Sequence, residues 1–219
     1  MSDSLNPLPL DHVILAIDSL EHGIDRLEEI TGCRAQMGGA HPSRGTRNAL
    51  LGLGEGCYLE LIAPNPADET SPLRPGPFSE RTDFTRFRSL TPIGWAIRVS
   101  DADAERDHLL RRGLSPGPVH AGERTRADGR VLRWKMLDPF GLSATVLPFA
   151  ISWGGDTPHP SSAAPAGCTL GDLRLETPNA GVIRDLLARA GWSVPVFSGP
   201  SERIDLVLRC PRGLVRVPE

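Results

Sequence analysis

The hydrophobic pattern near the start of the chain changes from that of a strand to that of a helix. The segment LDHVILAI, residues 10–17, is largely apolar on both faces, which is typical of a buried β-strand. Apolar residues then recur at Ile24, Leu27 and Ile30, a spacing that predicts a helix packed on a sheet through one face. The runs GTRNALLGL and CYLELIAP flank a Gly-Glu-Gly turn and predict two further strands. This part of the chain therefore predicts a strand, a helix and more strands, in that order.

The same order of elements begins twice more, at PIGWAIRVSDADAERDHLLRRGL and at LGDLRLETPNAGVIRDLLARAGW. Each predicted helix follows a residue that can cap it and ends at a glycine suited to a left-handed conformation, Gly32, Gly113 or Gly191. In the second copy, VLRWKML and SATVLPF are the predicted closing strands. We therefore predict an α+β fold of tandem βαβββ modules, with mixed sheets and a third, partial module. The predicted boundaries are 8–63 for module 1, 64–92 for a proline-rich connector, 93–153 for module 2, 154–167 for a second connector and 168–219 for a partial third module.

Composition and charge narrow the class of protein. The chain has 219 residues, of which 39% are hydrophobic, enough to bury a substantial core. Its net charge of -3 argues against a nucleic-acid partner, which usually selects a basic surface. There is no signal peptide and no run of about 18 apolar residues, so we expect a soluble, cytoplasmic protein that does not bind membranes. The four cysteines lack C-x-x-C spacing, which predicts reduced thiols rather than a zinc knuckle.

Three segments resemble the vicinal oxygen chelate superfamily, which includes glyoxalase I, extradiol dioxygenases and bleomycin-resistance proteins. They are DHVILAIDSLEHGIDRL, GCYLELI and DPFGLSATVLPF. The longer segment GGAHPSRGTRNALLGLGEGCYLELIAP is similar to the glyoxalase-like branch, whose members carry an H-P-x-x-G-T-x-N element before a Y-L-E-L strand. The resemblance covers nearly the whole chain. It implies that two modules pair and that their sheets curl around a shared cavity.

The resemblance also implies where a metal would bind, because metal-dependent members place His or Glu on the first and last strands of each module. His12 lies at the first-strand position and Glu60 lies four residues after the turn glycine Gly56. An imidazole and a carboxylate suit Zn, Fe, Mn or Ni. The second module has Gly94 and Thr145 at the corresponding positions, so the metal site is incomplete.

Two residues could complete the set of ligands, since a catalytic metal usually has three protein ligands. His41 could do so from its loop, and Asp172 could do so if the third module closes on the first; Val217 occupies the other matching position in that module. Spacing alone does not show whether His41 or Asp172 completes the site, or whether the site holds no metal. Glu60 is the candidate catalytic residue, with His12 beside it as the other tentative ligand.

Strand alternation predicts which side chains face the cavity. Leu10, His12, Ile14 and Ala16 share one face, and so do Tyr58, Glu60 and Ile62. His41 and Pro42 are placed at the mouth, with Thr46 and Asn48 on one face of the following strand. The predicted substrate-binding residues are His41, Thr46, Asn48, Tyr58, Arg98 and Trp134.

Each candidate residue also has a purely structural interpretation. Glu60 can be a buried ion-pair partner of an arginine or of His12, Asn48 can satisfy loop backbone, and Trp134 can be a core residue. Arg98 can be an exposed residue at the sheet edge. Arg124 and Arg126 are interpreted as surface residues, on a rim that attracts anions.

Two functions fit this pattern. The first is a glyoxalase-like lyase, isomerase or dioxygenase that acts on a small metabolite rich in carbonyl or carboxylate oxygens, with metal assistance. The second is a metal-free protein of the bleomycin-resistance type that binds or sequesters such a molecule. We also expect the third module either to cover the cavity or to pair with another copy of the chain as a homodimer.

Overall fold

The computed structural model describes residues 9–41, 45–68, 83–125, 129, 131–142, 144–154 and 158–218, so the predictions for Pro42 and Arg126 lie outside these ranges. Among the described residues there are twelve strands and three α-helices. The strands are β1 Leu10–Ala16, β2 Gln36–His41, β3 Thr46–Gly52, β4 Tyr58–Pro64, β5 Thr91–Arg98, β6 Val119–Thr125, β7 Val131–Leu137, β8 Phe149–Gly154, β9 Thr169–Thr177, β10 Val196–Ser198, β11 Arg203–Cys210 and β12 Gly213–Val217. The helices are α1 Leu20–Thr31, α2 Ala102–Arg111 and α3 Ala180–Ala190. Within the described ranges, no helix is both long enough and apolar enough to cross a membrane.

The helix boundaries follow from the capping residues that the sequence offers. The Ser19 hydroxyl accepts a hydrogen bond from the backbone N–H of His22 at the start of α1, and the Asp101 carboxylate does the same for Asp103 at the start of α2. Gly32 and Gly191 end α1 and α3 in the left-handed conformation, which costs glycine little because it lacks a Cβ.

Strands β1 to β8 form one sheet in the order β2-β3-β4-β1-β5-β8-β7-β6. The two βαβββ modules meet where β1 pairs antiparallel with β5, and within each module the first strand pairs parallel with the last. The sheet curls until its outer strands β2 and β6 lie against each other. The predicted α+β fold of paired, curled modules is confirmed. We call the concave side of this sheet the interior face.

The main core lies on the convex side, where α1 and α2 pack on the sheet. Trp95 in β5 is fully buried there, and its indole N–H donates to the carbonyl oxygen of Val146. Val13, Leu15 and Leu61 belong to the same core and show no exposed surface. This core leaves the interior face free to carry other chemistry.

The closing strand of module 2 lies later than its pattern predicts. Residues 149–154 form β8, whereas Thr145 lies in a turn before it and donates its backbone N–H to Glu202. The predicted strand SATVLPF is therefore wrong: its apolar Val146 and Leu147 are buried as part of a turn in the core. The observed strand register also shows that Thr145 does not occupy the position in module 2 that corresponds to Glu60. Counted back from the helix N-caps, Gly94 corresponds to His12 and Ala96 to Ile14. Ile14 pairs with Glu60 and Ala96 pairs with Phe149, so Phe149 stands where Glu60 stands in module 1.

The third segment keeps the order of elements but pairs its strands differently. Its sheet has the order β10-β9-β11-β12, so that β9 lies between a parallel neighbour and an antiparallel one. The sheet packs on the convex side, with β11 against β5 and β12 against α1. Arg189 of α3 donates to the carbonyl oxygens of Arg112 and Gly113 at the end of α2. The third segment thus lies on the side away from the interior, contrary to the prediction that it covers the cavity.

The sequence predicts a homodimer because an unpaired third module would expose an apolar sheet that a second copy of the chain could cover. Phe197 and Leu214 of that sheet are exposed, but the apolar residues of its inner face are buried within this chain, as part of the main core. They are Leu173, Leu175, Ile204, Leu206, Leu208 and Val217. This basis for the dimer is therefore absent, and the oligomeric state stays an open prediction.

Cys168 and Cys210, which are 42 residues apart along the chain, are joined by a disulfide. The prediction of four reduced cysteines is wrong for this pair, because Thr169 and Arg209 are opposite each other in the β9–β11 ladder and the pairing brings the preceding and following cysteines together. Cys33 and Cys57 are free thiols, and burial raises the pKa of Cys57 to about 12. The third sheet therefore carries a covalent link between strands that spacing does not reveal.

Thiol mapping tests this pairing. Alkylation of the protein after unfolding without reductant should modify Cys33 and Cys57, and digestion should yield one peptide pair joined through Cys168 and Cys210. Mass spectrometry after reduction should then find all four cysteines alkylated, which serves as the control. Alkylation of four cysteines before reduction would show that the pair is reduced.

Candidate functional site

His12 reaches the interior face beside a break in the regular alternation of β1. The pairing of β1 with β5 shifts register between Leu10 and His12. As a result Leu10 joins the convex core together with Val13, although strict alternation predicts that it shares a face with His12. Asp11 and His12 both direct their side chains toward residues of the interior face, as expected at a β-bulge. Because of this bulge, both Asp11 and His12 contact residues of the interior face, whereas a regular strand would direct only one of them there.

Asp11 is fully buried and accepts three hydrogen bonds. His12 Nδ1 lies 2.6 Å from Oδ1, and His159 Nε2 and Trp153 Nε1 each lie 2.9 Å from Oδ2. Burial raises the pKa of Asp11, but the hydrogen bonds and positive charge of the two histidines outweigh it and hold the pKa well below its usual value. Asp11 is therefore an anionic centre that orients His12 and ties it to the connector through His159.

Glu60 lies next to His12 on the neighbouring strand β4. Its Oε2 is 3.6 Å from His12 Nε2, and its Oε1 accepts a hydrogen bond of 2.6 Å from the Asn48 amide. Burial raises the pKa of Glu60, yet His12, His41, Asn48 and Arg124 together hold it below its usual value. The Glu60 side chain keeps 12% exposure, against 3% for His12, so a molecule entering the interior meets Glu60 first.

Asn48 connects Glu60 to both modules. Its Nδ2 also lies 3.3 Å from His41 Nε2, while His41 Nδ1 lies 3.0 Å from the Thr46 hydroxyl. Its Oδ1 accepts a hydrogen bond of 3.1 Å from Arg124, which comes from β6 in module 2. We call Asp11, His12, His41, Asn48 and Glu60 the polar cluster. Sequence reasoning groups four of these residues correctly in space but misses Asp11, and it assigns Arg124 to the surface.

A glycine pair in β2 makes room for the contact between the modules. A Cβ added at Gly38 would clash with Asn48 Oδ1, and one added at Gly39 would lie 2.9 Å from an Arg124 nitrogen. Glycine inside a strand often marks such a close approach. The Gly-Gly step before His41 is thus a signal in the sequence of a close approach to β2, although it does not identify Arg124 as the residue that approaches.

The interior face of module 2 is apolar. Its strands contribute Ala96, Met136, Phe149 and Ile151, which form a small second core together with Ile14 of β1. Trp134 and Trp153 pack beside this core and are half-buried, with their ring centroids 5.9 Å apart. The interior therefore has a charged wall in module 1 and an apolar, aromatic wall in module 2.

Three of the predicted binding residues have contacts that define their places. Tyr58 is buried and stacks on His12 at 4.7 Å between ring centroids, and burial with the nearby Glu60 charge raises its pKa well above the usual value. Trp134 lines the apolar wall. Arg98 is exposed and donates to the carbonyl oxygen of Gly56 in the turn before β4, away from the polar cluster. It is exposed, as its structural interpretation predicts, but it lies at the end of the central strand β5 and not at a sheet edge.

The polar cluster offers two close metal-binding side chains rather than three. In the ranges that the structure describes, no three His, Cys, Asp or Glu side chains converge on a common metal position. His41 Nε2 is 3.8 Å from Glu60, but the Asn48 amide lies between them. Asp172, the other proposed ligand, pairs with Arg174 on the third sheet. The residues as arranged therefore do not fit a catalytic metal, which usually has three protein ligands.

A groove of about 550 Å³ lies along β6, β7 and β8, separate from the polar cluster. Its lining includes Arg133 and Lys135, which already pair with Glu123 and Asp103. Neither His12 nor Glu60 contributes to it. Because its charges are compensated and exposed, we take the polar cluster, with its buried ionised groups, as the candidate functional site.

Known proteins resemble this chain in sequence pattern and in fold. A family model described as a glyoxalase-like domain matches residues 10–191. A solved structure of a hypothetical protein from Staphylococcus aureus shares 14% identity at a TM-score of 0.70, with 94% of this chain and 97% of that chain covered. Methylmalonyl-CoA epimerase from Mycobacterium tuberculosis shares 22% identity at a TM-score of 0.46, with 74% of this chain and 97% of that chain covered. A search among curated proteins gives no significant match.

Proposed function

We propose that this chain, which belongs to the glyoxalase-like domain family of the vicinal oxygen chelate superfamily, binds a small metabolite with carbonyl or carboxylate oxygens and moves a proton on it, as an isomerase or lyase. The observation that carries the proposal is the Glu60 carboxylate. It is ionised, lies within the polar cluster and opposite the apolar wall of module 2, and has an imidazole 3.6 Å away. A carboxylate placed in this way is rare unless it is paired or functional.

Glu60 is the proposed base. At neutral pH it is a carboxylate, because its pKa is held below the usual value, and it can accept a proton from a carbon next to a carbonyl group. The electron pair of the broken C–H bond then moves to the carbonyl oxygen and gives an enolate. Return of the proton to the same or a neighbouring carbon completes an isomerisation, and loss of a neighbouring leaving group completes an elimination.

His12 is the proposed second proton carrier. Its Nδ1 faces the Asp11 carboxylate at 2.6 Å, so Nδ1 carries the proton and Nε2 is directed toward Glu60. In that tautomer Nε2 can accept a proton from Glu60 or from the substrate, and Asp11 stabilises the imidazolium that forms. Asp11 is a positioning residue in this scheme, because it acts through His12.

Arg124, Asn48 and His41 are the proposed binding groups for substrate oxygens. Arg124 is half-buried and already donates to Asn48, so its charge is directed toward the polar cluster from module 2. Guanidinium groups bind carboxylates and enolate oxygens through charge-assisted hydrogen bonds. The proximity of these residues supports the proposal of a base, a second proton carrier and a cation within one interior.

Proton exchange in D₂O tests this function across several classes of candidate substrate. The protein would be incubated with a panel of small 2-oxo acids, hydroxyketones and 1,3-dicarbonyl compounds, and loss of C–H signals would be followed by NMR. We expect at least one compound to exchange faster than in buffer alone. Parallel samples with a chelator, and with added Zn²⁺, Mn²⁺, Fe²⁺ or Ni²⁺, would show whether a metal assists. Absence of enzyme-dependent exchange under every condition would contradict the proposal.

A metal-free binding protein is the second candidate function. It is favoured by the apolar wall of module 2, which supplies binding surface but no ionisable group, and by the hydrogen bonds that already satisfy Glu60. The same panel separates the two candidates. A compound that raises the melting temperature, with or without chelator, but never exchanges a proton identifies a binding protein.

A further inference from the structure

The interior has a charged wall and an aromatic wall, and the side chains on these walls restrict the molecule that can occupy it. Arg124 and Trp134 lie on the same face of adjacent strands, because Arg124 pairs with Leu132 and Trp134 pairs with Gly122 in the β6–β7 ladder. Such diagonal neighbours are about 7–8 Å apart. A cation and an indole are thus presented side by side to whatever enters the interior.

The Trp134 indole lies against Gly122 on the neighbouring strand, and it fits there because glycine has no side chain. A Cβ added at Gly122 would lie 2.5 Å from indole atoms Cε2 and Nε1 of Trp134. The ring therefore lies directly over the backbone of β6. A half-buried tryptophan in this position is a preformed flat apolar surface.

Trp134 begins a continuous arc of aromatic rings that includes His12, the neighbour of Glu60. Successive centroids are separated by 5.9 Å, 5.6 Å, 5.6 Å, 4.7 Å and 5.4 Å. The rings in order are Trp134, Trp153, His159, Tyr58, His12 and Phe149. The indole N–H of Trp153 and the imidazole of His159 are fixed by Asp11, so the arc is rigid.

From these observations we infer that the natural ligand is an aromatic carboxylate, with its carboxylate at Arg124 and its ring against Trp134 and Trp153. The inference rests on the proposed function and adds a ligand class to it. A small aliphatic acid would contact Arg124 but would leave the aromatic wall uncovered. A planar ring matches that wall through offset and edge-to-face contacts.

Three matched probes test the inference by calorimetry and tryptophan fluorescence: propionate, 3-phenylpropionate and 3-phenyl-1-propanol. We expect 3-phenylpropionate to bind roughly 10- to 100-fold tighter than propionate, the gain expected from burial of one phenyl ring. It should also bind about 10-fold or more tighter than the alcohol, which lacks the charge for Arg124.

Substitutions assign the two contributions to the two walls. Trp134→Ala and Gly122→Ala should remove most of the advantage of the phenyl ring and leave propionate binding unchanged. Arg124→Gln should weaken both acids by a similar factor. Gly181→Ala is the matched control, since nothing lies within 4 Å of a Cβ added there.

Each result has a definite meaning. Equal binding of propionate and 3-phenylpropionate, no binding of 3-phenylpropionate, or an unchanged phenyl advantage in Trp134→Ala would overturn the inferred ligand class. The proposed function fails separately, if aromatic carboxylates bind as expected but no compound in the D₂O panel, extended to aryl 2-oxo acids, exchanges a proton.

Discussion

Replacing Asp11 by alanine should lower the free energy of unfolding by about 3 to 5 kcal/mol, the usual cost of breaking a buried charged network. The substitution leaves the polar groups of His12, His159 and Trp153 without their shared acceptor in a site with no exposed surface. Urea unfolding followed by circular dichroism measures the change. Asp11→Asn keeps the shape and one acceptor oxygen, so its loss should be smaller, about 1 to 3 kcal/mol.

The pH dependence of that loss gives an independent check. Because folding lowers the pKa of Asp11, its stabilising contribution is complete above the pKa of an unfolded aspartate, about 4, and is lost as the pH falls below it. The difference in stability between wild type and Asp11→Asn should therefore shrink below about pH 4. Asp103→Ala, which removes an exposed partner of Lys135, is the control and should barely change stability. An equal effect of both alanine variants would contradict the buried network.

Replacing Glu60 by glutamine should slow enzyme-dependent proton exchange by roughly 10²- to 10⁴-fold, the range typical of a lost general base. Glutamine matches glutamate in shape and can still accept the Asn48 hydrogen bond through its amide oxygen, so the fold should persist. The rate would be measured by NMR on any compound that exchanges with the wild type, with circular dichroism to confirm folding.

Two further variants make this result specific. Glu123→Gln removes a surface carboxylate paired with Arg133 and should leave the rate unchanged. His12→Gln should also slow exchange, while preserving the hydrogen bond to Asp11 through its side-chain amide. A Glu60→Gln protein that is folded and exchanges at the wild-type rate would remove Glu60 from the chemistry and leave the binding function as the better candidate.

The paired modules and the neighbourhood of His12 and Glu60 could be predicted because they depend on local regularities. Helical spacing, capping residues and turn glycines mark each module, and alternation within β4 correctly places Tyr58 and Glu60 on one face. The same rule fails at β1, because a bulge between Leu10 and His12 turns Leu10 to the core and brings Asp11 to the interior. A bulge leaves little trace in a single sequence.

Other residues of the site were hidden by distance along the chain. Arg124 lies 76 positions from Asn48, and His159 lies 148 positions from Asp11, so no local pattern relates them. SATVLPF has the hydrophobicity of a strand, but its apolar side chains fill a buried turn beside Trp95 instead. The third segment repeats the order of elements without repeating their pairing, since hydrophobic spacing specifies which face of a strand is buried but not which strand lies beside it.

The bond between His159 and Asp11 has an evolutionary consequence. His159 belongs to the connector that leads to the third sheet, and it supplies one of the three hydrogen-bond partners of the Asp11 carboxylate in β1 of module 1. A descendant gene that lost its 3′ portion would encode two complete modules but would leave that carboxylate short of a partner. Shortening of the protein would therefore favour a compensating change at position 11.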